Sequence, residues 1–216
     1  MRAPASAPAC VRRMLARLLL GAILGAGFLP ASSWAAAPAP VTVAAFRTND
    51  ITDAGFAIRG FELTDHTGRL RTLADFKGQV VITVFGFTSC PDVCPTTLAA
   101  LASVIRALGK DAPRAQVLFV TLDPERDTLP LLSAYVPAFH PSFIGLRGSA
   151  AQTRTTARKF RVTYEKVAGS AGGNYTLDHS THGYVFGADG RLRLFLRMGV
   201  SIADIEHDLK LLLAGR

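Results

Sequence analysis

Two continuous apolar runs stand out along the chain, residues 80–87 (VVITVFGF) and 115–122 (AQVLFVTL). Both are rich in β-branched and aromatic residues and too short for helices, so they read as strands buried on both faces. Between them, PTTLAALASVIRALGK places Leu98, Leu101, Val104, Ile105 and Leu108 on one face of an amphipathic helix. Pro95 suits its first turn and Gly109 its stop. Upstream, GFAIRGFELTDHTGR alternates in part and carries a D-H-T-G turn, which predicts a strand and a turn. Downstream, LPLLSAYVPAFH predicts a helix, residues 143–146 a short strand and SAAQTRTTARKFRV another helix. VTYEKV then runs into AGSAGGN, read as a flexible turn. HGYVFGADGRLRLFLRMG is a hairpin pattern turning at A-D-G-R, and SIADIEHDLKLLLAGR closes the chain as a helix with Ser201 at its N-cap. Strands alternating with helices, followed by a hairpin and a final helix, predict one α/β domain with a central mixed β-sheet flanked by helices. Its expected span is residues 55–216, with no internal repeat and no second domain.

The first 36 residues have another character. Arg12, Arg13 and Arg17 precede a 12-residue apolar run, 18–29, ended by Pro30, and SSWAAAPAP offers small residues for cleavage after Ala35 or Ala36. This is the pattern of a secretory signal peptide, with retention as an N-terminal membrane anchor as the alternative. The apolar run is short of the roughly 20 residues that a span requires. Residues 37–54, rich in Ala, Pro and Thr, read as a linker. The leader also changes the meaning of the charge. Of the net +8 it supplies four arginines and no acid, leaving +4 for the remainder, without basic runs or interleaved aromatics. That argues against nucleic acid as a partner. An exported, periplasmic domain is the expectation.

Once the leader is set aside, two of the three cysteines remain, Cys90 and Cys94. A bridge closing so short a loop stabilises little, so a staple is the weakest reading. Lying between a buried strand and a helix start, the pair occupies the sheet edge where α/β folds gather functional groups. Amides at the helix mouth are expected to favour a thiolate, the form that exchanges disulfides and binds metal. Dithiol oxidoreductases of this layout usually have two residues between the cysteines, whereas here there are three. A third ligand would favour a metal. His66, His140 and His207 read as incidental, while His179 and His182, in LDHSTHGYVF, precede an apolar strand that could approach the cysteine loop. Two thiolates and one imidazole form a soft donor set suited to Cu(I). Zinc remains open, with Asp178 or His182 completing four ligands. The spacings for haem attachment and for an iron–sulfur cluster are absent.

At these residues the chain resembles the Sco (SenC/PrrC) family of thioredoxin-fold copper proteins. The likeness runs from about residue 60 to the C-terminus through GFELTDHTGR, FKGQVVITVFGFTSCPDVCPTTL, VTLDPERDT, YTLDHS and GADGRLR, in family order. The resemblance implies a thioredoxin-like fold holding one copper ion, Cu(I) or Cu(II), through Cys90, Cys94 and His179, the last being the histidine of the D-H-S motif. It implies delivery of copper to the binuclear copper centre of cytochrome c oxidase subunit II, or reduction of that site's cysteines before metallation. Partners would then be that subunit, a periplasmic copper donor or thiol reductant, and the inner membrane through the N-terminal segment. A metallochaperone is thus the first reading, with thiol–disulfide oxidoreductase activity beside it; a periplasmic reductase or a redox or copper sensor are the rivals. Asp92 and Asp123 read as ligand-tuning or turn carboxylates, and Asp178 as a partner for His179. The cleavable leader and the polar His182 depart from the family pattern.

Overall fold

The apolar runs become neighbouring strands at the centre of the sheet. The computed structural model of the chain describes residues 45–55, 58, 60–168 and 175–216. The signal peptide or anchor of residues 1–36, the first part of the linker and all of the AGSAGGN turn but its first residue, Ala168, lie outside the described residues. The strands are β1 (Asn49–Asp50), β2 (Glu62–Asp65), β3 (Leu70–Thr72), β4 (Val80–Gly86), β5 (Ala115–Thr121), β6 (Ile144–Arg147), β7 (Tyr164–Ala168), β8 (Tyr175–His179), β9 (Gly183–Phe186) and β10 (Leu192–Leu196). The helices are α1 (Val93–Ala107), α2 (Leu129–Tyr135), α3 (Ala150–Lys159) and α4 (Ile202–Leu213), with short 3-10 turns at Leu73–Phe76 and Gly109–Arg114.

Eight strands form one mixed sheet in the order β1-β10-β9-β4-β5-β6-β2-β3. Strands β4, β5 and β6 run parallel, and every residue of β4 and β5 is buried, as strands covered on both faces require. The antiparallel strand β9 pairs with β4 on its other side, Gly183 opposite Val84. Helix α1 buries Leu98, Leu101, Val104 and Ile105, the predicted stripe, and packs against α4. Helix α4 begins at Ser201, whose hydroxyl accepts the Asp204 amide. Phe160 is fully buried among Phe85, Tyr184 and Phe186, with ring centroids 5.1–6.1 Å apart.

The expected linker over 37–54 ends earlier than its composition suggests. Residues 49–50 form β1 and extend the sheet beside β10. Just before it, the buried Asp208 carboxylate of α4 accepts the amides of Arg47 at 2.8 Å and Thr48 at 2.7 Å. A two-residue strand has no hydrophobic period to read, and its anchor is a carboxylate more than 150 positions away. Strands β7 and β8 form a separate antiparallel ribbon, with Tyr164 opposite His179. The sequence reading had VTYEKV leading into a turn and assigned no strand to YTLDHS.

Candidate metal centre

The sheet topology brings three segments to one edge. β4 and β5 are parallel and end level, Gly86 beside Thr121, so the loops that follow them leave the same edge. β9 runs the opposite way and starts at that edge, so the residues before Gly183, including His179, arrive there too.

The first segment carries the thiols. After Gly86 the chain turns, with the Cys90 amide donating to the Phe87 carbonyl at 3.3 Å, and α1 begins three residues later. Cys90 is partly exposed, whereas Cys94, in the first turn of α1, is buried; both are free thiols. The Cys94 amide points at the Cys90 sulfur, 3.4 Å away, so an amide of the helix mouth serves Cys90. The Cys94 sulfur turns inward over β4. Burial pushes its thiol up to about 12, and the neighbouring Cys90 and Asp127 add to this, against one backbone hydrogen bond at Phe87. At Cys94, desolvation therefore opposes the thiolate that the helix mouth is expected to favour. Gly86 makes room for that sulfur: a Cβ there would lie 2.7 Å from Cys94 Sγ and 2.9 Å from Phe119 Cε2.

The second segment carries His179 at the end of β8. Its Nε2 lies 3.8 Å from Cys94 Sγ, and its Nδ1 lies 2.8 Å from the Ser180 carbonyl oxygen. A carbonyl only accepts, so the Nδ1 of the neutral ring carries the hydrogen and Nε2 faces the thiol with its lone pair. The Phe87 ring meets the imidazole edge-on, centroids 5.8 Å apart. Cys94 Sγ and an imidazole nitrogen thus meet at the sheet edge, with the Cys90 sulfur at the Cys94 amide. Thiolates and imidazole are donors of the type copper takes, although among the described residues no three Cys, His, Asp or Glu side chains are already gathered as a metal site.

The third segment, the loop after β5, holds the first. The fully buried Asp127 carboxylate accepts the Thr88 amide at 3.1 Å and the Thr88 and Thr121 hydroxyls, tying the cysteine loop to β5. Burial raises the Asp127 carboxyl, against these hydrogen bonds.

The remaining sequence candidates fall elsewhere. His182 stacks on Phe195, centroids 4.8 Å apart, and its Nε2 is 3.2 Å from the Tyr184 hydroxyl, so its ring is used by an aromatic cluster. Asp178 is exposed on the opposite face of β8, and the position beside His179 Nδ1 belongs to the Ser180 carbonyl instead. Asp92 precedes α1 and accepts the Thr96 hydroxyl at 3.3 Å. Asp123 is buried and accepts the Tyr175 hydroxyl at 2.7 Å and the Arg126 guanidinium. His66 accepts the Gly145 amide, His140 pairs with Ser142 and His207 with Asp208. Gly86 and Asp127 were missed by the sequence reading. A glycine inside an otherwise branched buried run was the available signal for the first; Asp127 resembles any loop carboxylate.

A family model described as SCO1/SenC matches residues 50–214. The mitochondrial protein SCO2 homolog of Bos taurus is 41% identical over 178 residues, 81% of this chain and 66% of that protein, so the match spans just under two thirds of the relative's length. An SCO2-like protein of Rickettsia felis is 38% identical over 151 residues, 69% of this chain and 74% of that protein. The structure of Bradyrhizobium japonicum ScoI with copper bound superimposes with a TM-score of 0.66 at 37% identity, over 71% of this chain and 98% of that one. With a family match over most of its length and relatives at this identity, the chain belongs to the SCO1/SenC family and has the thioredoxin-like α/β fold that its motifs implied.

Proposed function

We propose that this chain is an exported copper chaperone that binds one copper ion through Cys90, Cys94 and His179. It would deliver the ion to the binuclear centre of cytochrome c oxidase subunit II, or reduce that centre's cysteines, during assembly. The observation that carries the copper reading is the approach of His179 Nε2 to Cys94 Sγ, 3.8 Å, with Nδ1 already committed to a carbonyl. The copper held by the Bradyrhizobium japonicum relative supports the choice of metal, and the family resemblance supplies the client. The basic, apolar and small-residue pattern of residues 1–36 supports export to the periplasm, with tethering as the alternative. Among the described residues no helix is long and apolar enough to cross a membrane.

The unequal exposure of the thiols supports the second activity. The more exposed Cys90 would attack a client disulfide, and Cys94 would then displace the client sulfur from the mixed disulfide. Two electrons pass to the client, which leaves with two thiols, and the Cys90–Cys94 disulfide stays on this chain. Anaerobic copper titration of reduced and oxidised protein in parallel tests the main reading. One equivalent should bind the reduced form and none the oxidised form in this mode, and His179→Ala should lose tight binding. Absence of stoichiometric copper on the reduced protein would sink the chaperone reading. A preserved disulfide-exchange rate in His179→Ala would mark the thiol activity as separate.

A further inference from the structure

The histidine stands on a ribbon with little of its own to hold it. An isolated two-stranded hairpin is marginal in water, and β7 is exposed along almost its whole length. Along β8, Tyr175, Leu177 and His179 share one face by the period of two, which turns toward the body of the protein while Thr176 and Asp178 face outward. Leu177 is buried at the centre of that face. The His179 end is tied locally, the Ser180 amide donating to the Thr163 carbonyl at 3.0 Å and the Thr163 amide to the Ser180 hydroxyl at 3.1 Å; the other end of the face is Tyr175.

That end is fixed by Arg126. Its Nη1 donates to the Tyr175 carbonyl at 2.7 Å, and its guanidinium lies over the Tyr175 ring, 3.7 Å from the centroid. Its Nε donates to Asp123, which also accepts the Tyr175 hydroxyl at 2.7 Å. The same guanidinium lies 6.0 Å from the centroid of Phe87, the ring that packs edge-on against His179. The next residue, Asp127, holds Thr88. Adjacent residues of one loop thus grip the histidine ribbon and the cysteine loop.

We infer that Arg126, braced by Asp123, is a positioning residue that sets His179 against the Cys90–Cys94 pair by clamping Tyr175 at the far end of the same strand face. It rests on the copper-binding reading for the identity of the ligands, but the clamp itself exists without metal. Two directional N–H bonds and a flat face over an aromatic ring are what guanidinium offers and an ammonium does not.

The test uses the reduced full chain with Arg126→Leu and Arg126→Lys. In the metal-free protein, nuclear Overhauser contacts between the His179 and Phe87 rings should be lost in Arg126→Leu, while contacts within the β4–β5–β6 core persist. Copper affinity, measured by competition with a chromophoric chelator, should fall about 10–100-fold, the range for outer groups that orient a ligand. X-ray absorption should show loss of the imidazole signature. Arg126→Lys should behave like Arg126→Leu; wild-type affinity in Arg126→Lys would mean that charge, and not geometry, is at work and would overturn the inference. Persistence of the His179–Phe87 contact in Arg126→Leu would overturn it as well. Should Arg126→Leu not fold, Tyr175→Phe, which deletes only the hydroxyl bond to Asp123, should weaken copper binding several-fold, and an unchanged affinity would count against the clamp. Failure of the wild-type protein to bind copper would reject the metal reading, while the metal-free contacts decide the clamp independently.

Discussion

Gly86 shows how much of the site depends on an atom that is missing. Cys94 Sγ occupies the space a Cβ would take, 2.7 Å from where it would stand, with Phe119 2.9 Å away on the other side. Neither neighbour has room to retreat, because both are buried in the core. We expect Gly86→Ala to cost about 1–3 kcal/mol as overpacking and to weaken copper binding, because the sulfur must leave its position opposite His179. Urea unfolding of the reduced protein and chelator competition measure the two effects. Unchanged affinity would mean that the Cys94 position tolerates displacement. The thiols and the histidine stood out as candidates because their residue types carry the chemistry; the glycine did not, since its contribution is space. The effect that opposes a thiolate at Cys94 was hidden for a related reason. Helix position is visible in sequence, but the burial that pushes this thiol up to about 12 is a property of the packed sheet.

At the scale of elements, the D-H-T-G turn was legible as a turn, but what holds it was not. Asp65, the last residue of β2, is buried and accepts the Thr67 amide and hydroxyl, the Arg69 amide and Arg71 Nε at 2.6–3.0 Å. Burial alone would raise its carboxyl, but the hydrogen bonds from Thr67, Arg71 and Arg69 prevail and hold it at about 2. A carboxyl lowered on folding stabilises fully above its unfolded value, near 3.8, and loses that contribution as pH falls toward the folded value. The shift corresponds to about 2 kcal/mol. Wild-type protein should exceed Asp65→Asn by at least that amount at pH 7 in denaturant titrations, with the gap narrowing between pH 4 and pH 2. A gap that does not change with pH would refute the assignment. Long buried strands and amphipathic helices were read correctly because many side chains repeat one signal. The β7–β8 ribbon was missed because Leu177 is its one buried side chain among the described residues, and the Y-x-L-x-H alternation is too short to stand out.

On the scale of the molecule, the proposed centre would exist only when the sheet does. Cys90 and Cys94 share one loop and helix mouth, so an unfolded chain still presents them as a local pair. His179 lies 85 positions beyond Cys94 and reaches it through the β4–β9 pairing and the ribbon. A metal that binds the unfolded chain as well as the folded one stabilises nothing; only the difference between the two counts. With the proposed ligands the difference would reside in the histidine. At a copper concentration a hundredfold above the dissociation constant, the reduced wild-type protein should gain about 2.7 kcal/mol if the unfolded chain binds weakly. For a unit of this size that corresponds to a rise in Tm of about 5–10 °C. His179→Ala should show only a small rise, because what remains is the local dithiol that the unfolded chain also offers. Differential scanning calorimetry of both proteins, with and without copper under reducing, anaerobic conditions, measures the contrast. Equal shifts in the two would mean that copper is held by the cysteines alone, and that the convergence of three segments at this sheet edge serves something other than the metal.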